Sequence, residues 1–396
     1  MIHHADMLIV GAGIVGLTAA REFIANGWKN IIIIDKESSV GVHASGRNSG
    51  VLHAGIYYAP DSLKAKSCLN GNFLMREYCR NSKLPVLETG KVIVARNKTE
   101  LPVLDELYRR AMANSAKVEM IDEHRLSQIE PNAKTCEKAL FSHYTAVVNP
   151  KLILSCLKQE LENSSKVKFM FDCRFQDVID STTVRTSCGD IRFEYLINAA
   201  GAYCDKVAAA FGAGLAYRMV PFKGIYRKLK KSRSDMISGN IYPVPDIRNP
   251  FLGVHFTKNI YGDVYLGPTA IPAFGRENYG IIKGMDSEAL PILLTDAELF
   301  FSNPKFRTVA LSEPAKYFLP VFFKDAASLV KKLDISDIEP SDKAGIRAQL
   351  VHRKTGELVY DFTLEKAGNT LHVLNPVSPA FTSSMDLAKQ IVSSFL

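Results

Sequence analysis

The first 35 residues alternate short apolar runs with a glycine-rich turn and an amphipathic stretch. Residues 7–10 form an apolar run typical of a buried parallel strand, and residues 14–26 follow with helical spacing up to Gly27. A second apolar run, residues 31–34, ends at Asp35. This order predicts a strand, a helix and a second strand, which is the repeating unit of parallel sheets that carry helices on their faces.

The rest of the chain mixes similar segments with one long region of different character. A helix is predicted over residues 62–81, and a strand that runs into a glycine turn is predicted over residues 192–201. Residues 217–303 alternate apolar and polar positions, which favours an antiparallel sheet. A helical region, residues 313–332, and a final helix, residues 385–395, complete the pattern.

The parallel-sheet segments are separated along the chain, so the pattern predicts two interleaved domains of the α/β class. We expect a discontinuous dinucleotide-binding domain formed by residues 1–84, 145–215 and 335–396. Residues 85–144 and 216–334 would then form a substrate domain around the antiparallel sheet.

Three glycines at the first turn carry a specific binding signature. Gly11, Gly13 and Gly16 form G-x-G-x-x-G between the predicted strand and helix, and Asp35 follows 19 residues after Gly16. Such glycines allow a tight turn, close approach of a pyrophosphate and close helix packing, while the acid accepts hydrogen bonds from a ribose. The arrangement predicts a bound dinucleotide and leaves FAD and NAD undistinguished.

Charge and composition narrow the class of partners. The chain has 396 residues, and its 49 lysines and arginines outnumber its 41 aspartates and glutamates by eight. Because no block of five like charges occurs, we expect no nucleic-acid partner. An excess of positive charge suits an anionic substrate or peripheral contact with an anionic membrane equally well.

Cysteine usage and the N-terminal segment indicate the cellular compartment of the protein. The seven cysteines include no C-x-x-C pair, so we expect neither a disulfide framework nor a metal site. The N-terminal segment lacks the basic start of a signal peptide, and no apolar run reaches the ~18 residues that span a bilayer. We therefore expect a cytoplasmic protein, with peripheral contact at the inner face of a membrane left open.

Several longer stretches resemble one family. These are "SGRNSGVLHAGIYYAPDSLKA", "GNIYPVPD", "PFLGVHFT", "YLGPTA", "AGIRAQ" and "LHVLNPVSPAFTSS", which occur in order over nearly the whole chain. They are similar to the L-2-hydroxyglutarate oxidase/dehydrogenase family, within the D-amino-acid oxidase and glycine oxidase superfamily. The resemblance implies FAD as cofactor and a Rossmann-like FAD-binding domain of the glutathione-reductase type, interleaved with an antiparallel-sheet substrate domain.

The chain departs from the family pattern in two places. Ile225 stands where an acidic residue is usual, and Asp342 and Lys343 replace a turn of small residues. Both places lie in stretches that the resemblance puts near the substrate or the flavin.

The resemblance implies a set of cofactor contacts beyond the fingerprint. Ser383 and Ser384 are expected just before the final helix, whose N-terminus would point its partial positive charge at the flavin. The other implied contacts are Lys36, Ser45, Arg47, Asn48, Ser49, Ala200, Gly201 and Gly345.

Oxidation of a 2-hydroxy acid by a flavin requires a base for the hydroxyl proton, and His53 is the first candidate. Two alternatives stay open for His53: a structural hydrogen bond, or a covalent link to FAD. His255 and His372 are the alternative bases, although histidines in strand patterns are more often buried structural residues.

A five-carbon diacid needs two anion sites. Arg347 is the candidate for two-point contact with a carboxylate. Further candidate donors to the substrate are Tyr57, Tyr58, Lys223 and Tyr242.

The sequence thus predicts FAD-dependent oxidation of L-2-hydroxyglutarate, or a close 2-hydroxy acid, to the 2-oxo acid, with oxygen or a quinone as electron acceptor. An amino-acid or amine oxidase of the same fold and a non-catalytic flavin-binding module are the alternatives.

Overall fold

The computed structural model describes residues 2–246 and 251–395, and it shows a mixed α/β protein. Its strands are β1 Ile2–Val10, β2 Ile31–Ile34, β3 Val51–Leu52, β4 Val86–Leu87, β5 Lys91–Val94, β6 Val118–Asp122, β7 Lys138–Ser142, β8 Ala146–Val148, β9 Val167–Met170, β10 Phe175–Asp180, β11 Thr183–Thr186, β12 Gly189–Asn198, β13 Tyr217–Leu229, β14 Asn240–Pro243, β15 His255–Lys258, β16 Val264–Gly267, β17 Ile271–Pro272, β18 Ile338–His352, β19 Leu364–Ala367 and β20 Thr370–Val373.

Its α-helices are α1 Ile14–Ala25, α2 Ala44–Arg47, α3 Leu63–Asn81, α4 Leu101–Ala113, α5 Glu123–Ile129, α6 Pro150–Asn163, α7 Cys204–Ala210, α8 Ala289–Ser302, α9 Pro304–Ser312, α10 Leu319–Ala327 and α11 Ala380–Ser393. Among the described residues, none of these helices combines the length and the hydropathy needed to cross a bilayer.

An eight-stranded sheet carries the predicted dinucleotide-binding unit. Its order is β10-β11-β12-β1-β2-β9, with β20 beside β12 and β19 beside β20. The pairs β12–β1, β1–β2, β2–β9 and β12–β20 are parallel. Met7 and Ile9 face one hydrophobic core, which α1 and α11 cover, and Leu8 and Val10 face another on the opposite side. Burial on both faces explains the continuous apolar runs in the sequence.

The carboxyl ends of these parallel strands meet at one edge of the sheet. β1 leads there into the glycine turn and α1, β2 ends at Asp35, and β12 ends at Asn198. Ligands of open α/β sheets bind in the crevice outside this edge, so the fold itself marks the position of the site.

A nine-stranded sheet stands against this edge. Its order is β17-β13-β16-β15-β14-β5-β7-β6, and β18 pairs with β13 in antiparallel fashion from Tyr217↔His352 to Leu229↔Ile338. A small third sheet has the order β3-β8-β4.

The strand β18 was assigned to the dinucleotide-binding segment 335–396, yet it pairs with a strand of the predicted substrate domain. The division into two domains stays a prediction.

Two predictions of secondary structure were wrong. Residues 217–303 were expected to be β-like throughout, but α8 occupies Ala289–Ser302 and exposes Leu290 and Leu294. A helix with apolar residues on its solvent face lacks the regular amphipathic period, so it was missed. The final helix begins at Ala380 and not at residue 385, because Pro379 takes the N-cap position.

Candidate active site

A cavity of about 620 Å³ lies between the edge of the parallel sheet and the strands β13 and β18. The predicted site residues that line it are Gly11, Gly13, Asp35, Lys36, Ser45, Arg47, Asn48, Ser49, His53, Ala200, Gly201, Tyr242, His255, Gly345 and Arg347. The predicted site residues that do not line it are Gly16, Tyr57, Tyr58, Lys223, His372, Ser383 and Ser384. A volume of this size is in the range of cofactor and small-ligand sites, ~300–1,000 Å³.

The glycine turn leaves no room for side chains. A Cβ atom at Gly11 would lie 2.4 Å from the carbonyl oxygen of Ala199, and φ of Gly11 is +113°, which favours glycine. A Cβ atom at Gly16 would lie 2.0 Å from the carbonyl oxygen of Gly11. Gly16 thus lets α1 pack against the turn, and its absence from the cavity wall agrees with that role. At the start of α1, the amide of Ile14 donates to Ser45 Oγ at 3.0 Å.

Asp35 is held at the end of β2 by two backbone amides. Ala12 donates to Oδ2 at 2.8 Å and Glu37 donates to Oδ1 at 2.9 Å. Burial raises the pKa of Asp35, while these two hydrogen bonds act in the opposite direction. The carboxyl group is therefore oriented along the cavity wall, where it can still accept from a ribose hydroxyl.

An ionic cluster that the sequence analysis missed closes one side of the cavity. Lys36 Nζ lies 2.6 Å from Glu277 Oε1 and 3.0 Å from His43 Nε2. Tyr203 Oη donates to the same Glu277 oxygen at 2.7 Å. Lys36 is thus engaged with the segment after β17 as well as lining the cavity. No sequence signal indicated Glu277, because it comes from a loop more than 200 residues away.

The segment that follows β2 turns along the cavity without regular structure beyond α2. Arg47 Nε donates to the carbonyl oxygen of Val42 at 2.7 Å, and its guanidinium lies 4.0 Å from the ring centre of Tyr279. The side-chain amide of Asn48 donates to the carbonyl of Ser45 at 2.7 Å, and its oxygen accepts from Gly50. Arg47 and Asn48 therefore shape this segment as much as they face the cavity.

Three small residues form other parts of the wall. Ala200 and Gly201 follow β12, and Gly201 has φ of +57°, where a Cβ atom would meet no neighbour within 4 Å. A Cβ atom at Gly345 would lie 3.5 Å from the carbonyl oxygen of Arg47. The prediction that backbone passes close to the cofactor here fits this placement.

Ser383 and Ser384 were expected to precede the last helix, and this expectation was wrong. Both lie inside α11 and are fully buried, and Ser384 Oγ donates to the carbonyl of Phe381 at 3.0 Å. Because the helix begins earlier, its first turn presents Ala380 and Thr382 to the cavity instead. The helix N-terminus still faces the site, as the helix-dipole argument requires.

His53 and His255 both line the cavity, and each is buried. Among the described residues, His53 Nδ1 has no hydrogen-bond partner. His255 Nδ1 lies 2.8 Å from the carbonyl oxygen of Gly253, and the imidazole ring of His255 stacks on the ring of Tyr242. Burial, with the charges of Lys91 and His255, lowers the pKa of His53 well below its ordinary value. Burial lowers the pKa of His255 to about 3. Both imidazoles are therefore neutral and able to accept a proton.

His372 lies outside the cavity, and its proposed role as a base was wrong. Its Nδ1 accepts from the side-chain amide of Asn198 at 3.1 Å, so Nε2 carries the proton, 2.9 Å from Thr370 Oγ1. With both ring nitrogens engaged inside the protein, His372 is a structural residue that joins β12 to β20.

Three cations are buried at or behind the cavity wall, and Lys91 is close enough to both histidines to lower their pKa values. Lys91 and Lys64, which do not line the cavity, were missed. Arg347 lines the cavity and donates to Gln349 at 3.1 Å, and burial lowers its pKa to about 10. Lys91 Nζ has no hydrogen-bond partner in the part of the chain that the structure describes, and burial lowers its pKa to about 7. Burial and the charge of Arg347 lower the pKa of Lys64 to about 7, against the effect of Asp361. In residues 2–246 and 251–395, no carboxylate forms an ion pair with any of the three.

The predicted tyrosines surround these cations. Lys91 Nζ lies 4.5 Å from the ring centre of Tyr57 and 4.7 Å from that of Tyr242. Burial raises the pKa of Tyr58, whereas the charge of Arg347 lowers it. Tyr242 alone of the three lines the cavity. Tyr57 and Tyr58 lie one layer behind its wall.

Lys223 and the two departures from the family pattern point away from this cavity. Lys223 donates to the carbonyl of Gly280 at 2.5 Å and lines a separate cavity, so its predicted contact with the substrate was wrong. Ile225, Asp342 and Lys343 do not line the main cavity. Lys343 Nζ lies 4.7 Å from the ring centre of Tyr265 instead. The departures therefore leave the walls of the main cavity unchanged.

Comparison with known proteins agrees with this geometry. Residues 6–393 match the family described as FAD dependent oxidoreductase, DAO. Two solved structures share the fold. An L-alpha-glycerophosphate oxidase from Mycoplasma pneumoniae with FAD bound has a TM-score of 0.76 at 22% identity, over 98% of this chain and 94% of that one. A glycine oxidase from Geobacillus kaustophilus has a TM-score of 0.72 at 17% identity, over 99% and 94%. The fold and the site thus define an FAD-dependent oxidoreductase.

Sequence relatives narrow the family. A mitochondrial L-2-hydroxyglutarate dehydrogenase of Caenorhabditis elegans is 37% identical, over 98% of this chain and 92% of that protein. The enzyme of that name from Indibacter alkaliphilus is 36% identical over 96% of both chains. The human mitochondrial L-2-hydroxyglutarate dehydrogenase is 34% identical over 98% of this chain and 87% of its own length. The chain belongs to the family of L-2-hydroxyglutarate dehydrogenases within the DAO oxidoreductases.

The cofactor is FAD, and the residues of the cavity fit it. A Cβ atom at Gly11 would collide with the carbonyl of Ala199 and displace the turn that the pyrophosphate has to approach, and α1 begins directly after this turn. Asp35 stands at the end of β2 for the ribose, and the start of α11 faces the far end of the same cavity. The expectation that Gly11, Gly13 and Asp35 hold the dinucleotide remains a proposal about individual residues.

We predict that Gly11→Ala weakens FAD binding roughly tenfold or more, because the new Cβ atom collides with the Ala199 carbonyl and displaces the turn that the pyrophosphate has to approach. The measurement is the flavin absorbance of purified protein relative to its protein absorbance, followed by FAD titration of the apoprotein. Gly27→Ala is the matched control, because Gly27 also has positive φ (+94°) but has open space around it and lies outside the cavity. Equal FAD affinity in both variants would contradict the prediction.

Proposed function

We propose that this enzyme oxidises L-2-hydroxyglutarate to 2-oxoglutarate. The observation that carries the proposal is a group of three buried cations, Arg347 at the cavity wall and Lys64 and Lys91 behind it, none of which forms an ion pair with a carboxylate of the described residues. Burying an unpaired charge costs several kcal/mol unless a ligand supplies the opposite charge. A substrate with two carboxylates matches a site with more than one unpaired cation.

Arg347 is the group that orients the substrate. Its guanidinium lies at the cavity wall on β18, opposite Phe222 of β13, so it can hold one carboxylate in two-point contact. Lys91 and Lys64 then provide positive charge for the second carboxylate from behind the tyrosine layer. Two fixed anion sites select the chain length of the diacid and place its C2 atom.

His53 is proposed to accept the hydroxyl proton on its imidazole ring, because the residue lines the cavity. The backbone of His53 is fixed by donation from its amide to Thr382 Oγ1 at 3.1 Å. The bound carboxylates bring negative charge near the ring, and negative charge raises a histidine pKa. When bound, FAD supplies the two-electron acceptor for the C2 hydrogen. His255, whose Nε2 is free to accept, is the alternative base.

Roles other than proton transfer remain for His53. The missing partner at Nδ1 weakens the structural alternative, and a covalent link to FAD stays open as the other alternative. The electron acceptor, oxygen or a quinone, likewise remains a proposal. So do a cytoplasmic location and peripheral contact with a membrane.

The proposed substrate is tested by anaerobic mixing of the FAD-loaded enzyme with L-2-hydroxyglutarate. We expect bleaching of the visible flavin absorbance with L-2-hydroxyglutarate and much slower bleaching with L-lactate, which lacks the second carboxylate. Glycine and L-glutamate test the amine-oxidase alternative in the same experiment. Bleaching by an amino acid alone would reject the proposed substrate and favour that alternative.

We predict that His53→Gln lowers kcat on L-2-hydroxyglutarate roughly 10²–10⁴-fold, because the proton acceptor is lost. FAD content is measured first, so that only flavin-loaded protein is compared. His372→Gln is the control, because His372 is also buried but lies outside the cavity. Near-normal kcat in flavin-loaded His53→Gln would move the role to His255.

We predict that kcat/KM falls above pH 7, by roughly tenfold per pH unit for each required proton that is lost. Lys91 and Lys64 each have a pKa of about 7 in the free enzyme, so the charges that attract the diacid disappear as the pH rises through that value. Lys91→Met should lower kcat/KM at pH 6 and make its decline with pH shallower. The exposed Lys66→Met on the same helix as Lys64 serves as control. A wild-type kcat/KM that stays level from pH 6 to pH 9 would rule out this role.

A further inference from the structure

A fully buried amide lies beside Arg347 on β18. Gln349 follows Arg347 by two positions, so both side chains leave the strand on the same face. The side-chain oxygen of Gln349 accepts from Arg347 Nε at 3.1 Å, and Gln349 is 0% exposed. Gln349 lines neither the main cavity nor the second cavity, which contains Lys223. The proposed oxidation so far assigns no role to this residue.

The surroundings of Gln349 fix the direction in which its amide points. The nitrogen Nε2 donates to the carbonyl oxygen of Val359 at 2.6 Å and to that of Leu350 at 3.1 Å. Carbonyl oxygens only accept and a guanidinium only donates, so both sides require the same orientation of the amide. The oxygen Oε1 must therefore face Arg347. A rotated amide would lose all three hydrogen bonds.

The contact with Gln349 uses one of the five N–H groups of the Arg347 guanidinium. In residues 2–246 and 251–395, Nε donates to Gln349 and no group accepts from the two terminal nitrogens. Those nitrogens form the end of the guanidinium fork, which matches the two oxygens of a carboxylate. The guanidinium also lies 5.4 Å from the ring centre of Phe251, which lines the same cavity. Gln349 thus holds Arg347 from one side and leaves its free end for a ligand.

An amide at position 349 differs from a carboxylate by its charge. A glutamate has the same shape as glutamine, but it would form an ion pair with Arg347 and cancel the charge available to a ligand. An apolar side chain of similar length would leave the buried Nε–H without an acceptor. The amide oxygen satisfies Nε and adds no negative charge. Glutamine therefore fixes the orientation of the arginine and keeps its positive charge.

We propose that Gln349 is a positioning residue, which aims the terminal nitrogens of Arg347 at a substrate carboxylate and leaves the charge of Arg347 uncompensated until the substrate binds. The inference rests on the proposed function, since that function assigns Arg347 to a carboxylate. Gln349 does not touch the substrate itself. It contributes to substrate affinity, because the guanidinium is held in place before the carboxylate arrives.

A second buried amide provides a matched control. Asn375 is 0% exposed, and it donates to the same carbonyl of Val359 at 2.9 Å and to that of Asp361 at 2.7 Å. Its side-chain oxygen accepts from the backbone amide of Leu350 at 3.3 Å. Each of these partners is a backbone group, whereas Gln349 joins the backbone to a charged side chain. Loss of either amide disturbs the same backbone, but only loss of Gln349 affects Arg347 directly.

Calorimetric titration of the oxidised, FAD-loaded enzyme with glutarate tests the proposal without turnover, because this diacid has no hydroxyl group to oxidise. We expect Gln349→Met to weaken glutarate binding and to raise KM for L-2-hydroxyglutarate, each roughly tenfold, through loss of a hydrogen bond to a charged group. Gln349→Glu should change both by roughly 100-fold, because the new carboxylate takes the charge of Arg347. In both variants kcat should fall less than KM rises. Asn375→Leu should leave both quantities within about twofold of wild type.

A double-mutant cycle tests whether Gln349 acts through Arg347. Arg347→Lys removes the Nε–H group, so adding Gln349→Met to that variant should raise KM by no more than about twofold. Gln349→Glu keeps the shape of glutamine, so it reports even if Gln349→Met fails to fold.

The outcomes separate this inference from the proposed function. Absence of glutarate binding by the wild-type enzyme, or equal weakening by Gln349→Met and Asn375→Leu, overturns the positioning role. Wild-type affinity in Gln349→Glu also overturns it, as does an undiminished effect of Gln349→Met in the Arg347→Lys background. If L-2-hydroxyglutarate does not bleach the wild-type flavin while glutarate binding weakens in the Gln349 variants alone, the positioning role stands and the substrate is rejected.

Discussion

The antiparallel pairing of β13 with β18 positions most of the chemistry. It runs without a break from Tyr217↔His352 to Ile225↔Ala344, with one irregularity before Arg227. Because side chains alternate along a strand, this register decides which residues face the main cavity and which face the second. A shift by one residue would exchange Phe222 with Lys223 and turn Arg347 away from the cavity. The site therefore depends on a single register held by many backbone hydrogen bonds.

Burial of three positively charged side chains near the main cavity is electrostatically unfavourable. Arg347, Lys91 and Lys64 lie close enough to the histidines or to one another to shift their pKa values, and burial disfavours the charge on each. A protein selected for stability alone would pair or remove such charges. In the described part of the chain none of the three forms an ion pair with a carboxylate, which fits a site in which the ligand completes the ion pairs, so that binding and charge compensation are the same event.

Most residues predicted from the sequence for the cofactor side line the cavity, whereas only some of those predicted for the substrate side do. The glycine turn and Asp35 are contiguous with their strands, so local spacing specified them. Lys91 carried no signal, because a lysine that begins a strand is ordinarily solvent-exposed. Glu277 was missed as well, since it reaches Lys36 from a loop distant in sequence. The helix α8 was missed because its apolar residues face outward.

The sequence by itself determined the dinucleotide-binding unit and the family, because both rest on local spacing and on long stretches of contiguous residues. Only the tertiary structure decided which polar side chains share a cavity. In the structure, His372 is buried between β12 and β20, and Lys223 lies on the opposite face of the sheet from the main cavity. Ser383 and Ser384 lie inside a helix and not before it. The physical reason is that burial, strand register and the start of a helix depend on packing between segments far apart in the chain, which no local pattern encodes.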